Sequence, residues 1–371
     1  MKGCFLQGCI PKLKQQGVAL ITVMLIVALA AVLASQMAAR LQMQMIRTVN
    51  INLNQQAYWY AMGAEAFGRR VLITAFEDEP DSTNLGQMWA QGETTYPVDY
   101  GKITGEITDL QACLNLNALR DSDQSDNDNN NNDNPLNKKI NTDTSKTGQS
   151  NKNNNSGRAN QGNNKLPARL ALEELITALN IDGVSSFEAE YMADALTDWL
   201  DKDSAIVSAG GAEDNDYASK AFPYLPANNY LSSVNELRII EHFTVPVINA
   251  IKPYICVLPN TALHAINVNT ISTETPELLQ ALLGGSLDDA TQILSAREED
   301  GFKDLNAFFA VPEMTKLNLT EQQKKQFVVD SEYFTLKTTA SFNNSYFVLN
   351  SIMHINQNQQ IQVMSRTIGK N

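Results

Sequence analysis

Histidine and cysteine are scarce in this 371-residue chain, and basic residues are outnumbered. The three histidines, His242, His264 and His354, lie far apart and none stands in an HExxH frame, so a histidine-built metal or acid–base centre lacks raw material. The four cysteines, at 4, 9, 113 and 256, form no CxxC pair, and four in so long a chain make no disulfide framework of the small secreted kind. Zinc-ribbon and thioredoxin-like readings fall away. With 28 Lys and Arg against 41 Asp and Glu, the formal charge is −13, and without a basic patch such a chain repels nucleic acid and acidic lipid. No GxSxG elbow, P-loop or dinucleotide fingerprint occurs, and the string GGSL at 284–287 reads as a helix-ending turn. A non-enzyme is expected. Apolar residues, by contrast, make up 43% of the chain, enough for two modest domains.

Residues 1–17 carry Lys2, Lys12 and Lys14 and no acid, and an uncharged run follows from Val18 to Ala39. As a helix, these roughly 22 residues extend about 33 Å, the thickness of a bilayer's hydrocarbon core. Positive charge ahead of the run keeps residues 1–17 cytoplasmic and sends the bulk of the chain across the membrane. A secretory signal would have a shorter apolar region, a small-residue cleavage site and then a loop. Here helical sequence continues through Arg40, Arg47 and the aromatics Tyr58, Trp59 and Tyr60 to about Phe76, with no Pro. The aromatic triplet reads as the face that packs on a sheet.

Beyond the helix, residues 96–119 alternate apolar and polar, as one or two strands do. Residues 121–164 are about one-third Asn with almost no large apolar side chain, a composition that cannot offset the entropy of ordering and reads as a disordered linker. From Leu166 to about Phe327 the pattern is of short amphipathic helices: LPARLALEELITALNI, FEAEYMADALTDWLD, SVNELRIIEHF, TPELLQALLGG, LDDATQILSARE and FKDLNAFFA. From Tyr333 onward three alternating segments predict antiparallel strands turning at Asn343-Asn344 and around Asn356 to Asn358. The strands at 96–119 and 333–368 are expected to share one sheet.

The string KLKQQG followed by VALITVMLIVALA resembles a type IV prepilin signal, which a membrane peptidase cuts on the cytoplasmic side, here between Gly17 and Val18. Losing the three leader lysines would take the charge from −13 to −16. A plain signal-anchor helix is the other reading. The prepilin pattern places Glu at the fifth mature position, where this chain has Thr22. A carboxylate in lipid is tolerable only when paired. Its absence, together with DLQACLNLNAL (109–119), LTDWLDKDS (196–204), GGAEDNDY (210–217), PYLPANNYLSSVNELRII (223–240) and INVNT (266–270), resembles the minor pseudopilin K family of type II secretion systems. The resemblance implies an α+β fold: a long transmembrane helix on a pilin-like antiparallel sheet, with a large helix-hairpin-helix (SAM-like) α-domain inserted between strands. The expected parts are leader 1–17, helix 18–76, first sheet part 77–120, linker 121–164, α-domain 165–330 and C-terminal strands 331–371. It also implies a single-pass protein of the inner membrane, with a periplasmic body, that initiates and caps the pseudopilus with minor pseudopilins I, J and H, the major pseudopilin and prepilin peptidase as partners. The rival readings are a minor pilin of a type IV pilus and a membrane-anchored DNA-uptake protein.

The DNA rival rests on INVNTISTETPELLQALLGG and ATQILSAREEDGFKDLNAFF, which resemble a helix-hairpin-helix. Such hairpins bind phosphate through turn amides backed by cations, yet from Asn267 to Val311 eight acids oppose only Arg297 and Lys303. No nucleic-acid partner is expected. Acids gather at Asp198, Asp201 and Asp203 and again at Glu213, Asp214 and Asp216 around Gly210 and Gly211, without EF-hand spacing. Read alone they are solvated loops or a calcium site. The resemblance favours structural calcium, with Asp201, Asp203, Glu213, Asp214 and Asp216 as ligands. Cys113 and Cys256, both placed in the oxidising periplasm and in strand-like stretches, are expected to form a disulfide, two buried thiols being the alternative.

Overall fold

The computed structural model describes residues 18–120, 165–342, 345–356 and 358–369. The leader with Gly17, the linker 121–164 and the Asn343-Asn344 turn lie outside the described residues.

Helix α1 runs 61 residues, Val18–Asp78, and stops just before Pro80, whose ring forbids its continuation. Its buried positions are Ala57, Ala61, Glu65, Gly68, Leu72, Ala75 and Phe76. Steps of three and four keep this stripe on one side. The stripe lies on a five-stranded antiparallel sheet of order β1-β2-β7-β8-β9. Its strands are β1 (Thr94–Val98), β2 (Gly101–Asp109), β7 (Tyr333–Phe342), β8 (Ser345–Ile355) and β9 (Ile361–Ile368). On β7 the alternate residues Phe334, Leu336, Ala340 and Phe342 are buried, as a one-faced strand requires. Ala57 and Ala61 cluster with Ala340, Phe342 and Leu349, while Leu72 and Phe76 cluster with Trp89, Phe334 and Met353. At Gly68 an added Cβ would lie 2.8 Å from Leu336 Cδ2, so the Leu336 side chain fills the space that glycine leaves open.

The aromatic triplet divides. Tyr58 meets Phe347 at 5.4 Å and Tyr60 meets Phe342 at 5.7 Å, but Trp59 is 68% exposed. Three consecutive helical residues, 100° apart, cannot share one face.

Strands β2 and β7 pair in unbroken register from Gly101↔Phe342 to Asp109↔Phe334. Everything between them is an insertion. The strand reading of 96–119 therefore needs correction at its end: the sheet stops at Asp109. Leu114–Asn115 (β3) pairs in parallel with Ile255–Cys256 (β4), and Leu116–Leu119 is a 3-10 turn. Leu114, Leu116 and Leu119 join the core of the inserted domain, so the boundary expected at 120 falls near 110. The alternation in LNLN mimics a strand because Asn115 and Asn117 turn inward to bond loop backbone. Asn115 Nδ2 donates to the Thr261 and Leu263 carbonyls, and Asn117 Nδ2 to those of Leu231 and Leu258.

The inserted domain is built from α2 (Pro167–Ala178), α3 (Ser186–Leu200), α4 (Asp214–Ala218), α5 (Val245–Ile251), α6 (Glu277–Leu283), α7 (Leu287–Ser295), α8 (Leu305–Phe309), α9 (Pro312–Lys316) and α10 (Glu321–Lys324). A parallel pair, β5 (Ile266–Asn267) and β6 (Phe327–Val328), closes it. The helix expected at SVNELRIIEHF is instead a 3-10 segment, Val234–Ile239, capped by Ser233. One hydrophobic core runs from Leu114 to Phe327.

Glu65 is 2% exposed, yet its carboxylate meets Arg366 Nε at 2.7 Å and Nη2 at 2.8 Å and accepts the Ser351 hydroxyl at 2.6 Å. Burial opposes its ionisation, but the Arg366 and Ser351 hydrogen bonds outweigh it and hold the carboxyl below the usual range. The pair's contribution is therefore present at neutral pH and fades as pH falls through the carboxylate range. Replacing Glu65 by Ala is expected to lower sheet-body stability by about 1–3 kcal/mol in urea unfolding, since charged hydrogen bonds are lost and Ser351 is left unpaired. Cys113 and Cys256 are joined as a disulfide, with Cα atoms 5.8 Å apart and a sequence separation of 143. In denatured, non-reduced protein beginning at Val18 neither thiol should titrate, and reduction should cost about 4–5 kcal/mol on the chain-entropy account. Two free thiols would contradict the pairing.

Candidate functional site

Three places on the molecule bear on function. The first is the uncovered half of α1. Every residue from Val18 to Asn52 is exposed, so among the described residues nothing covers the apolar run. Thr22 Oγ1 donates to the Ala19 carbonyl at 2.9 Å. A hydroxyl is thus satisfied inside its own helix, whereas a carboxylate there would need a partner from outside.

The second is an acidic cluster on the inserted domain. Helix α3 begins in a capping box between Ser185 and Glu188, and carries Asp194, Asp198 and, at its C-cap, Asp201 along one stripe. A loop then crosses back to Glu213, the residue before α4. Among the described residues one carboxylate trio converges: Asp198, Asp201 and Glu213, with ligand atoms all within 4.8 Å of one another. Asp198 is 0% and Glu213 4% exposed. Asp198 Oδ1 accepts the Val207 N–H at 3.0 Å, but its Oδ2 and both Glu213 oxygens are buried without a hydrogen-bond partner. Burial raises the Asp198 carboxyl to about 6, and burial with the charges of Asp198 and Asp201 raises Glu213 to about 7. Buried, mutually repelling carboxylates with vacant lone pairs suit a hard divalent cation.

Of the five sequence-predicted ligands the structure brings Asp201 and Glu213 together and adds Asp198. Asp203 is exposed and its Oδ1 accepts the Ala205 N–H; Asp216 is exposed and its Oδ2 accepts the Glu213 N–H; Asp214 is half-buried outside the trio. Helical spacing marks Asp198 and Asp201 as near neighbours, but only the returning loop shows that Glu213 completes the set.

The third is a buried polar joint where the insertion leaves the sheet, and composition did not reveal it. Asp109, at the end of β2, accepts the hydroxyls of Ser331 and Thr270 and the N–H of Gln111. Asn267 Nδ2 reaches the Thr83 carbonyl and Ser331 Oγ, and Gln111 bonds the Ala265 carbonyl and the Glu332 N–H. Burial raises Asp109 to about 6 against the pull of these bonds. Four chain segments, including the loop after α1, meet here. One signal was present: Asn alternating with apolar residues in LNLN and NVNT is unfavourable in strands and betokens side chains that serve buried backbone.

In the hairpin of α6 and α7, Gly284 closes the first helix at φ 64° and Ser286 caps the second. The Arg297 guanidinium turns inward onto the carbonyls of Val268 and Ile271, at 3.1 and 2.8 Å. One of the hairpin's two cations is thereby spent within the fold.

Two family models, both described as type II secretion system protein K, match residues 112–260 and 266–330. Similar relatives include type II secretion system protein K of Aeromonas hydrophila, 33% identical over 96% of this chain and 98% of that one, and of Dickeya chrysanthemi, 34% identical over 96% and 97%. Among solved structures, the crystal structure of the GspK-GspI-GspJ complex from the enterotoxigenic Escherichia coli type 2 secretion system matches with a TM-score of 0.69 at 27% identity, over 88% of this chain and 100% of that chain. Sheet, insertion, buried-amide motifs and relatedness across nearly the whole length agree: the chain belongs to the type II secretion system protein K family.

Proposed function

We propose that this chain is a minor pseudopilin of a type II secretion system, anchored in the inner membrane by α1 with its body in the periplasm, that initiates and caps the pseudopilus. The observation that carries the reading is the asymmetry of α1: one stripe of its second half is buried on the sheet, and among the described residues nothing covers its apolar start. A bare helix of bilayer length is an anchor and a packing surface for neighbouring helices. The relative solved with GspI and GspJ supports pseudopilins I and J as direct partners. Pseudopilin H, the major pseudopilin and a peptidase cutting before Val18 complete the proposed set.

Thr22 supports the tip position. A subunit entering beneath an existing one leaves that neighbour's N-terminal ammonium unpaired in lipid unless it brings a carboxylate. Thr22 brings none, so this subunit is placed first and others add below it. The inserted domain adds a steric reason, since its bulk would clash laterally within a shaft. Nothing in the described residues favours a type IV minor pilin, and the inward-turned Arg297 disfavours DNA binding.

Asp198, Asp201 and Glu213 are proposed to hold a structural calcium ion, with Asp203, Asp214 and Asp216 contributing negative field around it. Bound calcium would supply positive charge that replaces the missing hydrogen bonds of Asp198 and Glu213 and ties the end of α3 to the start of α4.

Coexpression with pseudopilins I and J is expected to yield a stable heterocomplex, and immunogold labelling to mark one end of sheared pseudopili. Regular labelling along the shaft would contradict the tip assignment. The cation site makes a prediction of definite sign. Because Asp198 and Glu213 titrate higher in the folded chain than unfolded, removing their protons costs stability. In chelator the melting midpoint should therefore fall as pH rises from 5 to 8, as an expected outcome on the order of several degrees. Saturating calcium should raise the midpoint at pH 7.5 and flatten that slope. Equal midpoints with and without calcium at pH 7.5 would return the cluster to solvated loops.

A further inference from the structure

Asp194, Asp198 and Asp201 share one stripe of α3, and from sequence they are equivalent acids. The structure gives Asp194 a different task. It is 0% exposed, and both its oxygens are engaged: Oδ1 by Arg169 Nη2 and Oδ2 by the Ser208 hydroxyl. Arg169, on α2 and 7% exposed, is steadied by Glu173, whose Oε1 accepts its Nε at 3.0 Å. Ser208 in turn organises the returning loop: its Oγ accepts the Gly210 N–H at 3.3 Å and its carbonyl the Gly211 N–H at 3.1 Å. Both glycines are required by crowding, since an added Cβ would strike Tyr191 at Gly210 and Asp198 Oδ2 at Gly211. The Gly210 carbonyl also lies 3.0 Å from His242 Nε2.

We propose that Arg169, Asp194 and Ser208 form a positioning relay for the cation site, in which the Asp194-held Ser208 hydroxyl pins the returning loop over α3 and so presents Glu213 to Asp198 and Asp201. The inference rests on the reading of those three carboxylates as a calcium site. Two physical consequences follow from the arrangement. Arg169 and the Ser208 hydroxyl engage both Asp194 oxygens, so Asp194 offers no ligand atom and the ion-facing set is the three carboxylates of Asp198, Asp201 and Glu213. The loop is also held before the ion arrives, so binding does not have to order a dozen free residues.

The test uses the full chain in detergent, with calcium chloride titrated calorimetrically and melting followed in chelator and in calcium. Ser208→Ala is expected to bind calcium about tenfold more weakly at unchanged stoichiometry, the equivalent of one charge-assisted hydrogen bond. Its midpoint in chelator should fall only by the few degrees that one lost buried hydrogen bond costs, less than its midpoint in calcium falls, and Ser208→Thr, which keeps the hydroxyl, should recover most of the affinity. Arg169→Gln, which leaves Asp194 uncompensated, should also weaken binding. Asp182→Ala, at an exposed residue outside both the cation site and the relay, should bind calcium as the parent chain does. A Ser208→Ala affinity within twofold of the parent would overturn the relay while leaving the calcium site standing. So would a loss of affinity that Ser208→Thr does not recover or that accompanies an equal drop of the midpoint in chelator, for that is the mark of a merely structural residue. A parent chain that binds no calcium would overturn the calcium reading itself, and the relay with it.

Discussion

Because β2 and β7 pair antiparallel along the whole of β2, the chain must come back, after building a second domain, to the edge it left at Asp109. That pairing governs the rest of the molecule. The insertion is held at both ends by adjacent strands, and the sheet under α1 is complete only when residues far apart in sequence meet. Adjacent termini alone would permit a swinging appendage. The joint of Asp109, Gln111, Asn267, Thr270 and Ser331 ties the departure, the return, the loop after α1 and the inserted domain's INVNT segment together. Buried polar networks of this kind are costly when half satisfied and rigid when complete. Here the inserted domain is joined to the sheet body by a close-packed polar seam.

Amide side chains at this seam and in the inserted core show what the short strings LNLN and INVNT do in this chain. Asn115, Asn117, Asn267 and Asn269 each use both ends of the amide, donating to one or two loop carbonyls and accepting a loop N–H. Aspartate would lack the donor, and an aliphatic residue would orphan several buried backbone groups. Constraint of this sort falls on isolated letters within loops, where hydrophobic periodicity has nothing to report.

Along α1 one continuous helix serves two environments. Its sheet-facing stripe carries small residues, Ala57, Ala61 and Gly68, and a buried carboxylate, Glu65, paired with the partly exposed Arg366 of β9. Its first turns, from Val18 to Leu33, are exposed and, but for Thr22, apolar on every side, as suits a helix facing lipid. Thr22 suits that stretch, because its hydroxyl bonds its own backbone. The carboxylates of the inserted domain follow the opposite logic: at Asp198 and Glu213 burial and mutual repulsion leave charge that the protein alone does not satisfy.

Sequence alone determined the features that depend on local period and composition: the continuous helix from Val18, the alternating strands after Tyr333, the short amphipathic helices between, and the family through its ordered motifs. It was also enough to place the insertion between two strand regions. Tertiary structure decided where those regions end and what each periodic face touches. LNLN satisfies a strand's period but serves the inserted core, and Trp59 belongs to an aromatic triplet yet points away from the sheet. In the acidic loops sequence distance was a poor guide, since Asp203 lies nearer in sequence to Asp201 than Glu213 does but only Glu213 joins the trio. Period reports which residues share a side of an element. What covers that side is set by chain segments tens to hundreds of residues away, and only their packing selects among equivalent letters.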